Sequence, residues 1–83
     1  MEIEEKARLF VEALGGKENI VDVEGCITRL RGTLKDPSKI DMKKMMTLGV
    51  IGRPMVIGTG VQIVVGTYAE LIGTAMNKIM KTG

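Results

Sequence analysis

Apolar positions along the chain recur at two different periods, and the switches between them mark out the elements. In IEEKARLFVEALGG, Ile3, Ala7, Phe10, Val11 and Leu14 recur at helical spacing while Glu4, Glu5, Arg8 and Glu12 fall on the other side, which predicts an amphipathic helix. Gly15-Gly16 supplies the left-handed backbone on which helices end, and NIVDVEGC follows with the β-branched residues of a first strand. RLRGTLK reads as a second strand with Leu30 and Leu34 on one side and Arg29, Arg31, Thr33 and Lys35 on the other, so both arginines share the wet face. Asp36-Pro37 breaks that strand. Ser38 with Asp41, or Asp41 itself, then caps a helix of roughly two turns that carries Met42, Met45, Met46 and Leu48 to Gly49.

From Met55 to Gly66 two apolar runs flank Gly58-Thr59-Gly60, the chemistry of a hairpin, and Pro54 assigns the first run to an edge or entry position. LGVIGRPM, just before it, reads as a loop, a distorted strand or both. Thr67 with Glu70 forms a capping-box pattern ahead of Leu71, Ile72, Ala75, Met76 and Ile79, which predicts a closing helix. The order helix, two strands, helix, two strands, helix with short connections predicts an α+β two-layer sandwich, α-β-β-α-β-β-α. Its four-stranded antiparallel sheet has helices on one face and water on the other. At 83 residues, positions 1–83 form a single domain with one core, and with Phe10 and Tyr68 as the only aromatics that core is aliphatic. The Met42, Met45 and Met46 group is read as core filling, and Lys43 and Lys44 as a solvated end.

Charge narrows the function classes. A net charge of +2 with acidic and basic residues interspersed provides no field for nucleic acid or a membrane surface. The longest apolar stretch, Met55–Val65, is broken by Gly58, Gly60 and Gln62 and is far shorter than the roughly 20 residues of a membrane helix, so no direct membrane insertion is expected. With no histidine and one cysteine, no metal or haem site is expected and no internal disulfide is possible. The charged MEIEEKARLF is unlike a signal region, which favours a reducing, cytoplasmic setting.

The remaining chemistry is concentrated in EGCITRLRG. Cysteine acts as a nucleophile through its thiolate, and neighbouring cations favour that charged form. Cys26 at the end of one strand, with Arg29 and Arg31 opening the next, gathers guanidinium forks, turn N–H groups and the Thr28 hydroxyl, donors that match the tetrahedral oxygens of one phosphoryl group. The competing readings are a small buried cysteine beside a solvated arginine face, and a redox-sensing thiol, which the absence of a resolving cysteine weakens. Gly25 favours a surface thiol, because glycine there implies a turn or a close backbone approach. Asp22 and Glu24 are read as solvent-facing strand residues, since a carboxylate beside the thiol repels a phosphoryl group. GTGVQIVVG lacks the Lys-Ser/Thr ending of a phosphate loop and is read as a hairpin turn.

ALGGKENI, GCITRLRG and GTGVQIVVG together resemble, over nearly the whole chain, the enzyme IIB domain of the glucose and N-acetylglucosamine family of the bacterial phosphoenolpyruvate-dependent sugar phosphotransferase system. The resemblance implies the same α-β-β-α-β-β-α fold and a phosphocarrier without a cofactor. Cys26 is then the phosphocysteine, accepting a phosphoryl group from a phosphohistidine of the IIA protein or domain. It passes the group to a sugar (glucose, N-acetylglucosamine or similar) imported by the membrane IIC domain. Arg29 and Arg31 become the phosphate-transfer arginines and Thr28 a phosphate-binding donor. The implied location is the inner face of the membrane, by association with or fusion to IIC. Glu24-Gly25 stands where the family often has an Asp-Ala pair, and LGVIGRPMVIG is longer and richer in Arg-Pro than the common form. The alternatives from other classes are the redox-sensing thiol protein and a non-catalytic adaptor with an inert cysteine.

Overall fold

The computed structural model describes residues 1–82 and has the predicted order: α1 (Ile3–Ala13), β1 (Ile20–Cys26), β2 (Arg29–Leu34), α2 (Met42–Met45), β3 (Met55–Ile57), β4 (Gly60–Val64) and α3 (Ala69–Lys81). The four strands form one antiparallel sheet in the order β1-β2-β4-β3. Alternation decides which side of it is dry. Val23, Leu30, Leu34, Val61 and Ile63 are buried in one cluster with Ala7, Phe10, Val11 and Leu14 of the α1 segment and Ile72, Ala75 and Met76 of α3. Glu24, Arg29 and Arg31 point from the opposite, helix-free face and are exposed.

Two contacts fix the layers. Gly25 and Gly73 let α3 lie directly on the end of β1: a Cβ on Gly25 would stand 1.9 Å from the Ala69 carbonyl oxygen, and one on Gly73 would stand 2.4 Å from the Gly25 nitrogen. Asn77 Nδ2 continues this seam by donating to the Val23 carbonyl at 2.8 Å. Asn19, the one buried polar side chain among the described residues, ties the other end. Its Nδ2 donates to the carbonyls of Leu14 at 2.8 Å and Asp36 at 2.9 Å, and its Oδ1 accepts from the Asp36 N–H at 2.9 Å. The C-terminus of α1 is thereby stitched to the exit of β2, satisfying backbone groups that the helix end leaves open.

Several local expectations are corrected. The second helix has one turn, not two. Asp41 caps it by accepting from the Lys44 N–H at 3.0 Å, but bonds from Thr47 N to the Lys44 carbonyl and Leu48 N to the Met45 carbonyl already tighten the next turn before Gly49 at φ +77°. Ser38 does not cap this helix; it lies in a separate 3-10 turn, Pro37–Lys39, where its N–H and hydroxyl donate to Asp36. With the helix so short, only Met45 reaches the core, while Met42 is half-buried and Met46 is exposed. Lys44 is likewise not free: its Nζ meets Glu12 Oε1 of α1 at 2.7 Å, and that hydrogen bond, helped by Arg8, holds the Glu12 carboxyl below its ordinary value.

Thr67 does not cap α3. Gly66 at φ +89° turns the chain so that Ala69 N bonds to the Gly66 carbonyl; the cap position falls on Tyr68, and no side chain bonds there. LGVIGRPM is irregular, with a single strand-like bond from Ile51 N to the Val64 carbonyl at 2.8 Å, and β3 begins only after the buried Pro54, at the sheet edge.

Candidate active site

β1 and β2 are joined by a tight hairpin in which Cys26 pairs in register with Arg29, leaving Ile27 and Thr28 as the turn. Residues directly opposite in an antiparallel pair point to the same face, so the thiol and the Arg29 side chain leave the sheet together. Cys26 is exposed and free. Ile27 has φ +54°, the sign required at the first central residue of a II′ hairpin turn, a position that normally takes glycine. A β-branched residue there is strained, and its side chain projects into solvent, 73% exposed.

Thr28 anchors the turn from below. Its carbonyl accepts from Val65 N at 2.9 Å and Gly66 N at 3.1 Å, which clamps the hairpin to the segment entering α3. On the other flank, the Gly25–Gly73 seam holds the end of β1. The hairpin is therefore fixed on both sides. Cys26, Ile27, Thr28, Arg29 and Arg31 together line a shallow depression of about 260 Å³.

Arg31 stands two residues along β2, opposite Glu24 on β1 and Gln62 on β4. Register alone would allow Arg31 and Glu24 to pair, yet neither arginine of the hairpin forms an ion pair among the described residues. Two guanidinium groups thus line one depression with an exposed thiol and have no carboxylate on them among the described residues, and such a group of donors suits a dianionic, tetrahedral oxyanion. Arg29 Nη1 donates to Gln62 Oε1 at 3.2 Å. Gln62 has no role in the motif reading; the signal for it was the alternation of β4, in which Val61 and Ile63 point inward and leave Gln62 on the arginine face.

A larger cleft, about 460 Å³, lies between α1 and α3 and is lined by Ile3, Glu4, Ala75, Lys78, Ile79 and Thr82, with no thiol and no arginine among them. No group of three metal-ligating side chains gathers among the described residues, and no helix there is long and apolar enough to cross a membrane.

Known proteins resemble this chain over stretches that include the hairpin. A family model described as phosphotransferase system, EIIB, matches residues 8–41, the span that contains Cys26, Arg29 and Arg31. The chain is 39% identical over 75 residues to the N-acetylglucosamine-specific EIIB component of Streptomyces coelicolor, covering 90% of this chain and 96% of that protein. It is 35% identical over 74 residues to the N-acetylglucosamine-specific EIICBA component of Escherichia coli, covering 89% of this chain but only 11% of that longer protein. With the alpha-glucoside-specific EIICB component of Leptotrichia buccalis it shares 35% identity over 86 residues, 99% of this chain and 16% of the relative. Among solved structures, a domain of the PTS IIabc component from Clostridium difficile superposes with a TM-score of 0.77 at 25% identity, covering 95% of this chain and 82% of that one.

Proposed function

Because the chain belongs to the EIIB family of the sugar phosphotransferase system, in its glucose and N-acetylglucosamine branch, we propose that it is a phosphocarrier whose acceptor is the Cys26 sulfur. Residues 1–83 act as one EIIB domain. In the first transfer, the Cys26 thiolate attacks the phosphorus of a phosphohistidine on IIA; the S–P bond forms, the P–N bond breaks, and the imidazole leaves. In the second, a sugar hydroxyl bound by IIC attacks the same phosphorus; the O–P bond forms, the S–P bond breaks, the thiolate is regenerated and the hydroxyl proton is released. Arg29 and Arg31 neutralise the oxygens of the transferring group in both steps, and Thr28 offers a hydroxyl beside them.

One observation carries this reading: an exposed thiol in register with an arginine, at a depression whose two guanidinium groups have no carboxylate partner among the described residues. Positioning and charge stabilisation are what phosphoryl transfer asks of a protein, and a rigid hairpin with fixed cations supplies both. Since sulfur must meet a nitrogen of another protein, that protein docks on the hairpin. The exposed Ile27, with Tyr68 and Leu71 exposed at the start of α3, supplies apolar contact area around it.

Relatives named EIICBA and EIICB carry B with C, or with C and A, in a single protein, which supports IIC and IIA as partners and a location at the inner face of the membrane. The sugar is glucose, N-acetylglucosamine or a similar one. The test is discharge of the charged domain. Once phosphorylated, it transfers its group to N-acetylglucosamine, glucose or an alpha-glucoside in the presence of membranes containing the matching IIC domain. Sugar phosphate accumulates in step with loss of protein phosphate. Loss of phosphate only to water, for every sugar and IIC domain offered, contradicts the carrier role.

A further inference from the structure

Gln62 lies between Val61 and Ile63, both buried, so strand alternation turns its amide onto the open face of the sheet. There it stands opposite Arg31 on β2 and Met55 on β3, and its Oε1 accepts from Nη1 of Arg29 at 3.2 Å. A guanidinium has donors only, so the amide oxygen is the atom that must face it. Arg29 itself pairs in register with Cys26. Gln62 is thus joined to the nucleophile's cross-strand neighbour by a single hydrogen bond, from a strand outside the reactive hairpin.

We propose that Gln62 is a positioning residue for phosphoryl transfer at Cys26: it holds the Arg29 fork over the depression while leaving its charge available. The role rests on the phosphocarrier reading above. An exposed arginine samples many rotamers, and each one that turns the fork away removes a cation from the path of the transferring group. A carboxylate at position 62 would order the fork as well, but it would cancel the charge and compete with the phosphoryl oxygens for the same donors. A neutral acceptor orders without competing. No carboxylate pairs with Arg29 among the described residues, so the amide is the contact that restrains it.

The experiment compares single-turnover phosphorylation by phosphorylated IIA in the wild type, Gln62→Leu, Gln62→Glu, Arg29→Ala and the Gln62→Leu/Arg29→Ala double variant. 15N relaxation of the Arg29 side chain is measured in the first three. Gln62→Leu slows transfer about three- to tenfold, the worth of one hydrogen bond, at unchanged half-saturating IIA concentration, and raises the picosecond-to-nanosecond mobility of the Arg29 side chain. Gln62→Glu keeps that side chain ordered and still slows transfer. In the Arg29→Ala background Gln62→Leu has no further effect, a coupling that a general loss of stability does not produce.

An equal slowing with and without Arg29 overturns the proposal, as does a Gln62→Leu variant at wild-type speed. A Gln62→Glu variant at wild-type speed overturns the requirement for a neutral acceptor. A wild-type chain that takes no phosphoryl group on Cys26 overturns the phosphocarrier reading, and the positioning role with it. Normal wild-type labelling beside an unaffected Gln62→Leu variant removes the positioning role alone.

Discussion

Gly73 of α3 rests on the backbone of Gly25, one residue before Cys26: a Cβ at position 73 would lie 2.4 Å from the Gly25 nitrogen and 2.9 Å from its Cα. Backbone faces backbone, so neither side can yield by a side-chain rotation. Gly73→Ala in an unconstrained helix would add about 0.8–1.0 kcal/mol of stability. Here the sign reverses, with an expected loss of about 1–3 kcal/mol from overpacking, read as a lower urea midpoint at unchanged slope. A stabilised Gly73→Ala variant would show that α3 does not sit this close to β1.

Asn19→Ala removes three hydrogen bonds of a buried side chain and leaves the Leu14 carbonyl and both Asp36 backbone groups without those partners. At roughly 1 kcal/mol each, the expected cost is about 3 kcal/mol, measured by chemical denaturation. A loss below about 0.5 kcal/mol, the range of ordinary surface substitutions, would mean that the link between α1 and the β2 exit contributes little.

Ile27→Gly is expected to stabilise the domain. The exchange relieves a β-branched residue of φ +54°, and because the side chain is 73% exposed, little apolar burial is lost. The left-handed region costs a non-glycine residue about 1–2 kcal/mol, partly offset by the greater freedom of glycine in the unfolded chain, so the expected gain is about 1 kcal/mol. A destabilised variant would show that Ile27 contributes contacts that outweigh its strain.

Much of this fold could be read directly from the chain. α1 and α3 were visible because their apolar stripes run over several turns, and the β1–β2 hairpin because alternation put Leu30 and Leu34 opposite Arg29 and Arg31. What escaped depends on contacts between distant segments or on single turns. Thr67 matched a capping pattern, but Gly66 moved the helix start by one residue. Met46 matched a helical stripe in a helix that stops at Met45. Gly25 implied a turn or a close approach, and only the packed structure identifies Ala69 and Gly73 as its neighbours. Asn19 and Gln62 fall in stretches that carry the family resemblance, but no local pattern shows their roles, since their partners lie at Asp36 and Arg29. The positive φ of Ile27 runs against its own propensity, so no local rule would have placed it there.

Arg29→Ala and Arg31→Ala separate folding from chemistry. Both side chains are exposed on the open face, so each substitution is expected to change stability by less than about 0.5 kcal/mol. Each removes a cation from the transferring phosphoryl group, for which about 2.7–4 kcal/mol of barrier, or roughly 10²–10³ in rate, is the expected cost. Variants that unfold readily but transfer at the wild-type rate would assign the arginines to structure instead.

The most direct measurement is the intact mass of the chain after incubation with phosphoenolpyruvate, the two general phosphotransferase proteins and a matching IIA domain, followed by peptide mapping. The account predicts one added phosphoryl group per chain, located on Cys26 and absent from Cys26→Ser, whose hydroxyl is far less acidic and less nucleophilic than a thiol. A redox thiol would gain oxygen under peroxide and no phosphate, and an inert adaptor would gain neither. Phosphate on any other residue, or equal labelling of the Cys26→Ser variant, would contradict the phosphocysteine mechanism.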